Sequence, residues 1–82
     1  MIVNPRTRAR IEAERTIPLG IYRDAGADGR CDYLEGLAES HGLSIEIVLT
    51  MADLLGAEED FDGLACACED AEGGFGMGGG QG

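Results

Sequence analysis

The chain has 82 residues and carries sixteen aspartates and glutamates against six arginines and no lysine, which gives a formal net charge of −10. A chain this short forms one domain with a small core, and its negative field repels nucleic acid and anionic membranes while attracting basic surfaces. We therefore expect neither nucleic acid nor membrane as a direct partner, and no apolar run approaches the roughly 18 residues of a membrane span.

The first 23 residues are predicted to form a basic N-terminal arm that is partly helical. They hold five arginines against two glutamates, whereas residues 24–82 hold one arginine against fourteen acids. Asn4 followed by a proline is typical of a helix N-terminus, so we expect a helix over residues 5–15. Apolar residues then alternate with others over 17–21, which predicts an extended stretch.

Residues 24–72 are predicted to form an acidic helical domain. Its three short antiparallel helices are expected at 32–41, 44–56 and 58–71. Asp32 with Glu35 three residues later has the spacing of a capping box, which marks the first helix start. Gly42 supplies a left-handed stop, and Ser44 is a suitable cap for the second helix.

The predicted fold class is therefore all-α, a small three-helix domain. The second helix is the most apolar and is expected at the centre of the core. The predicted core residues are Leu34, Leu37, Leu43, Ile47, Val48, Met51, Leu54, Leu55, Phe61 and Leu64.

Ala38, Gly42 and Leu43 have the spacing of helix-turn-helix packing, but the second helix offers acids and no basic residue for DNA. Seven of the ten residues 73–82 are glycine, which predicts a disordered tail.

The leading functional hypothesis is a small acidic binding protein that occupies a basic surface of a protein partner. The sequence holds no nucleophile elbow and no phosphate-binding loop, so we expect no enzyme activity, no catalytic residue and no cofactor. In size and charge the chain is similar to small acidic inhibitors or modulators made by viruses and mobile elements, whose carboxylates take the place of phosphates. The predicted partner-binding residues are Glu58, Glu59, Asp60, Asp62, Glu69, Asp70 and Glu72.

Two alternatives rest on other features. In the first, the chain is a homo-oligomer that buries the spare apolar face of the helix over 45–55 against a second copy. In the second, four acids follow the spacing of an EF-hand calcium loop, although Gly26 stands where another ligand belongs. These candidate metal ligands are Asp24, Asp28, Asp32 and Glu35.

The three cysteines fit no disulfide framework. Cys66 and Cys68 are two residues apart, and on a helix such a pair diverges too far to share a zinc ion with Cys31 or His41. We interpret the cysteines as small apolar side chains in a reducing setting, and we expect a cytoplasmic protein. His41 is expected near a helix C-terminus, where a cation is favoured.

Overall fold

The computed structural model describes residues 3–74, and every regular element in that range is helical. The elements are α1 Pro5–Ala13, α2 Leu19–Asp24, α3 Arg30–His41, α4 Ile45–Leu55, a 3₁₀ turn Ala57–Glu59 and α5 Gly63–Gly74. The all-α class is confirmed; the described range holds five α-helices, where the sequence predicts one over 5–15 and three more from position 32 onward. The predicted tail lies outside the described residues from position 75 onward.

Local sequence features set the turn between α3 and α4. Gly42 has a φ of 66°, and the N–H of Leu43 donates to the carbonyl of Ala38 at 2.8 Å, so α3 ends in a left-handed glycine. Ser44 caps α4 by accepting from the N–H of Ile47 at 3.3 Å. The predicted helix-turn-helix-like packing and its two cap residues are confirmed.

The start of α3 differs from the prediction because it is capped from another helix. α3 begins at Arg30, and its first N–H groups donate to Glu12 of α1, from Arg30 at 3.2 Å and from Cys31 at 2.9 Å. Asp32 instead accepts from the N–H of Asp28 at 2.8 Å. The capping box predicted at Asp32 is therefore wrong, since the acceptor comes from a distant part of the sequence.

α1 packs against the rest of the fold. Asn4 accepts from the N–H of Thr7 at 2.9 Å, which confirms the predicted helix start, and the helix ends two residues before the predicted limit. Ile11 is only 1% exposed and belongs to the core. Arg8 forms an ion pair with Glu35 of α3 at 3.5 Å. The arginine-rich segment therefore contributes to the packed structure.

α2 replaces the extended stretch predicted over 17–21. Pro18 occupies the position just before the helix, where its missing N–H breaks no helical hydrogen bond. Tyr22 is completely buried and anchors α2 to the fold. A helix of six residues is unstable alone, so this tertiary contact decides a conformation that the local pattern predicts wrongly.

The third predicted helix, 58–71, is divided in two. Gly56 ends α4 with a φ of 94°, the 3₁₀ turn follows, and α5 begins only at Gly63. Glu59 in the turn accepts from the N–H of Gly63 at 3.2 Å, which satisfies one N–H group at the start of α5. Asp60 lies between the two elements and turns inward.

The core lies among α1, α3, α4 and α5. Its buried residues are Val3, Ile11, Cys31, Leu34, Ala38, Ile45, Val48, Ala52, Leu64 and Cys68. Of the other predicted core residues, Leu37, Leu43 and Met51 pack partly buried against it, and Ile47 and Phe61 are half-buried. Leu54 and Leu55 are 81% and 39% exposed, so their prediction is wrong: the apolar arc of α4 is wider than its neighbours cover. Within residues 3–74 no helix has the length and apolar content that a membrane span requires.

Candidate functional site

Asp60, one of the acids predicted to face a partner, lies in the interior. Its side chain is 0% exposed, and its carboxylate accepts from the Tyr22 hydroxyl at 2.6 Å and from Arg30 Nε at 2.7 Å. Arg30 is itself 2% exposed, and its Nη2 reaches the second carboxylate oxygen at 3.3 Å. A buried carboxylate requires such a counter-charge. The placement of Asp60 on the partner surface is therefore wrong.

Three aromatic rings pack against one another, and two of them contact Asp60 through their hydroxyls. The ring centroids of Tyr22, Tyr33 and Phe61 are 4.4 to 5.6 Å apart, and the Tyr33 hydroxyl donates to the carbonyl of Asp60 at 2.8 Å. Burial raises the pKa of Tyr33 to about 12, and burial together with Asp60 raises the pKa of Tyr22. Both hydroxyls therefore stay protonated as donors, and the cluster is a structural connection between α2, α3 and the segment after α4.

Two other acids of the predicted surface have internal contacts. Glu59 caps α5 through the N–H of Gly63. Glu72 on α5 contacts Nδ1 of His41 at the end of α3, which joins the two helices. These carboxylates add to the surface charge, but part of their hydrogen-bonding capacity is used within the fold.

Four acids of the predicted surface are exposed, and none of them forms an ion pair within residues 3–74. These are Glu58, Asp62, Glu69 and Asp70. The carbonyl of Asp62 accepts from the N–H of Cys66 at 3.1 Å, so the backbone of Asp62 takes part in the first turn of α5. Positions 62, 69 and 70 then share one side of the helix by spacing. We call Asp62, Glu69 and Asp70 the α5 acidic face; Glu58 lies on the preceding 3₁₀ turn.

Negative charge is densest after α4, although the exposed Asp24, Asp28, Glu39 and Glu46 also have no ion pair within residues 3–74. The arginines form ion pairs, at 2.7 to 3.8 Å, with Glu14 just after α1, with acids of α3 and α4, and with the buried Asp60. After His41 the sequence contains nine acids and no further histidine, lysine or arginine. The α5 acidic face is therefore left with uncompensated negative charge.

The acids of the calcium hypothesis are not brought together as ligands. Because α2 ends at Asp24 and α3 begins at Arg30, seven of the twelve residues of the supposed loop over 24–35 are helical. Asp32 is hydrogen-bonded to the N–H of Asp28, and Glu35 contacts Arg8. Across residues 3–74 no group of three or more histidine, cysteine, aspartate or glutamate side chains is arranged to hold a metal ion. The structure gives this hypothesis no support.

All three cysteines are free thiols. Cys31 and Cys68 are fully buried in the core, and burial raises the pKa of both thiols. They pack as the small apolar side chains that the sequence predicts, whereas Cys66 is exposed on α5.

Comparison with known proteins finds no matching family model, no matching curated protein and no matching solved structure. Any functional proposal must therefore rest on the charge and the exposed side chains of the molecular surface.

Proposed function

We propose that this protein is a non-catalytic binding protein whose α5 acidic face, together with Glu58, occupies a basic surface of a protein partner. The observation that supports the proposal is the density of acids after α4, where seven of the fifteen residues 58–72 are aspartate or glutamate and none is lysine or arginine. Within residues 3–74 no cation pairs with the four carboxylates of the proposed surface. Their oxygens are free to accept charge-assisted hydrogen bonds from arginine and lysine.

Binding is expected to proceed by electrostatic attraction followed by short-range pairing. The net charge of −10 raises the rate of encounter with a cationic surface. The helical backbone of α5 then holds the carboxylates at fixed positions, with Asp62 and Glu69 about 10 Å apart along the helix axis. Surfaces that bind nucleic acid present arginine and lysine at high density. The proposal therefore extends to an inhibitor or modulator of the viral or mobile-element type.

A cytoplasmic, reducing location is part of the same proposal. One of the three free thiols, that of Cys66, is exposed. Exposed free thiols are uncommon in the oxidising compartments where disulfides form. The test is to isolate the protein from its native cells under alkylating conditions. A free, alkylated Cys66 would support this location, and a disulfide at Cys66 would contradict it.

The binding surface is testable by titrating the isotopically labelled protein with a short arginine-rich peptide and recording amide chemical shifts. We expect the changes to concentrate over residues 58–72, and the affinity to fall steeply when salt is raised. Shifts spread evenly over all exposed acids, or an affinity that does not change with salt, would contradict the proposal.

Two matched variants separate a specific surface from net charge alone. The first neutralises the proposed surface with Glu58→Gln, Asp62→Asn, Glu69→Gln and Asp70→Asn. The second neutralises four other exposed acids with Asp24→Asn, Asp28→Asn, Glu39→Gln and Glu46→Gln. Both remove four charges. In pull-downs from native cells, basic proteins should be retained by the second variant and lost from the first. Equal loss from both would leave only a general charge effect and would refute the proposed site.

A further inference from the structure

The outward side of α4 carries apolar side chains that residues 3–74 leave partly uncovered. Leu54, near the C-terminal end of the helix, is 81% exposed. Ile47, seven residues earlier on the same side by spacing, is half-buried and lines a shallow groove of about 330 Å³. The other lining residues are Glu46, Thr50 and Met51, of which Met51 also packs against the core. Leu54 lies one turn beyond Thr50 and Met51, so it continues the groove. We call Ile47 and Leu54 the α4 strip.

The C-terminal end of the α4 strip is negatively charged. Beside it lies a groove of about 480 Å³, whose charged lining residues are Arg10, Glu14, Arg30, Asp53 and Glu58. The buried Asp60 already matches the charge of Arg30. Arg10 therefore stands alone against three carboxylates, and the negative end of the α4 dipole lies close by. This end of the strip repels an acidic occupant, and a second copy of this chain, with its net charge of −10, is one.

We propose that the α4 strip receives a basic amphipathic helix of the protein partner. The apolar side of that helix packs on Ile47 and Leu54, and its lysines or arginines face Asp53 and Glu58. The inference rests on the proposed function, since Glu58 belongs to the surface proposed there, and it specifies the chemistry of the partner's basic surface.

A helix suits this surface better than an extended segment does. An extended segment binds mainly by pairing its backbone with the edge of a sheet, and every regular element of residues 3–74 is helical. A helix satisfies its own backbone hydrogen bonds and binds through side chains spaced i, i+3, i+4 and i+7. Ile47 and Leu54 are about 10 Å apart along the α4 axis, which two turns of a partner helix span. The contact is far smaller than the roughly 800 Å² per partner of a stable interface, so it adds to binding by the α5 acidic face.

Three synthetic peptides of about four helical turns test the chemistry of the occupant by fluorescence anisotropy with the full chain. The first is an amphipathic helix of leucine and lysine. The second has the same composition in an order that spreads leucine around the helix, and the third has glutamate in place of every lysine. The first should bind at least about tenfold more tightly than the second, and the third should not bind. Equal binding of the first two would overturn the apolar contact, and binding of the third would overturn the charge argument.

Variants of the chain test the location. Leu54→Ser should weaken binding of the first peptide about tenfold and leave the second peptide unchanged. Ile21→Ser is the matched control, since Ile21 is 44% exposed on α2. Asp53→Asn should weaken the first peptide more than Asp24→Asn does, which removes an exposed acid elsewhere. Equal effects within either pair would overturn the site, and circular dichroism checks that the variants keep their helices.

The arginine-rich peptide of the preceding test, made without apolar residues, separates this inference from the proposed function. It should bind Leu54→Ser as it binds the wild type. If it does, but the two leucine–lysine peptides bind alike, the inference is overturned and the proposed function stands. If it does not bind residues 58–72, while Leu54→Ser still weakens the amphipathic peptide, the α5 acidic face is wrong and the α4 strip stands. Self-association of the wild type in sedimentation equilibrium that Leu54→Ser abolishes would give the strip to a second copy and overturn the inference.

Discussion

Removal of the Asp60 carboxylate is expected to destabilise the protein more than any other loss of an acid. Asp60 is 0% exposed, and in Asp60→Ala the guanidinium of Arg30, 2% exposed, remains buried without its counter-charge. Breaking one side of a buried ion pair costs about 3–5 kcal/mol. At roughly 0.05–0.15 kcal/mol per residue, the whole chain is stable by about 4–12 kcal/mol. The substitution therefore removes about a quarter or more of the free energy of unfolding.

Urea denaturation followed by far-ultraviolet circular dichroism measures this loss. The matched control is Glu58→Ala, which removes an exposed acid two positions away and should change the free energy of unfolding by less than about 0.5 kcal/mol. If Asp60→Ala also costs less than about 1 kcal/mol, the ion pair is not buried as described, and the account of the interior is wrong.

A double variant separates the cost of burying an unpaired charge from the attraction between Arg30 and Asp60. Replacing both members of the pair, as Arg30→Met with Asp60→Leu, removes the charge and the need for its compensation together. The double variant should be more stable than Asp60→Ala. If the two single losses simply add in the double variant, Arg30 and Asp60 do not interact, whatever their distance.

Three further predictions concern other parts of the fold. Because burial raises the pKa of Tyr33 to about 12, its ultraviolet absorbance should show little ionisation near pH 10, where a free tyrosine is half ionised. The protonated Tyr33 hydroxyl therefore contributes fully to the free energy of unfolding below about pH 10, and this contribution is lost as the pH rises towards 12. Glu12→Ala should lower the free energy of unfolding in urea by about 1–2 kcal/mol, since two N–H groups of α3 lose their acceptor. Glu39→Ala is the control and should cost less, because Glu39 is exposed and has no ion pair within residues 3–74. Gly42→Ala should lower the melting temperature by straining a residue with φ of 66°, whereas Gly36→Ala should raise it by stabilising α3 by about 0.5–1 kcal/mol, because its Cβ meets open space. The opposite order of melting temperatures would contradict the assigned backbone conformations.

The sequence predicts well those elements that depend on neighbouring residues. Gly42 ends a helix and Ser44 begins one as expected, because a left-handed glycine or a serine cap is decided within a few residues. The start of α1 at Asn4 is confirmed for the same reason. These local rules account for the all-α class and for the position of α4.

The contacts that the sequence does not predict join distant residues. Tyr22 and Asp60 are 38 positions apart, and Glu12 caps a helix that begins 18 positions later. Neither pairing has a periodicity or motif that marks it, so Asp60 is indistinguishable from the exposed acids beside it. The exposure of Leu54 is likewise invisible locally, since it depends on which side of α4 its neighbours cover.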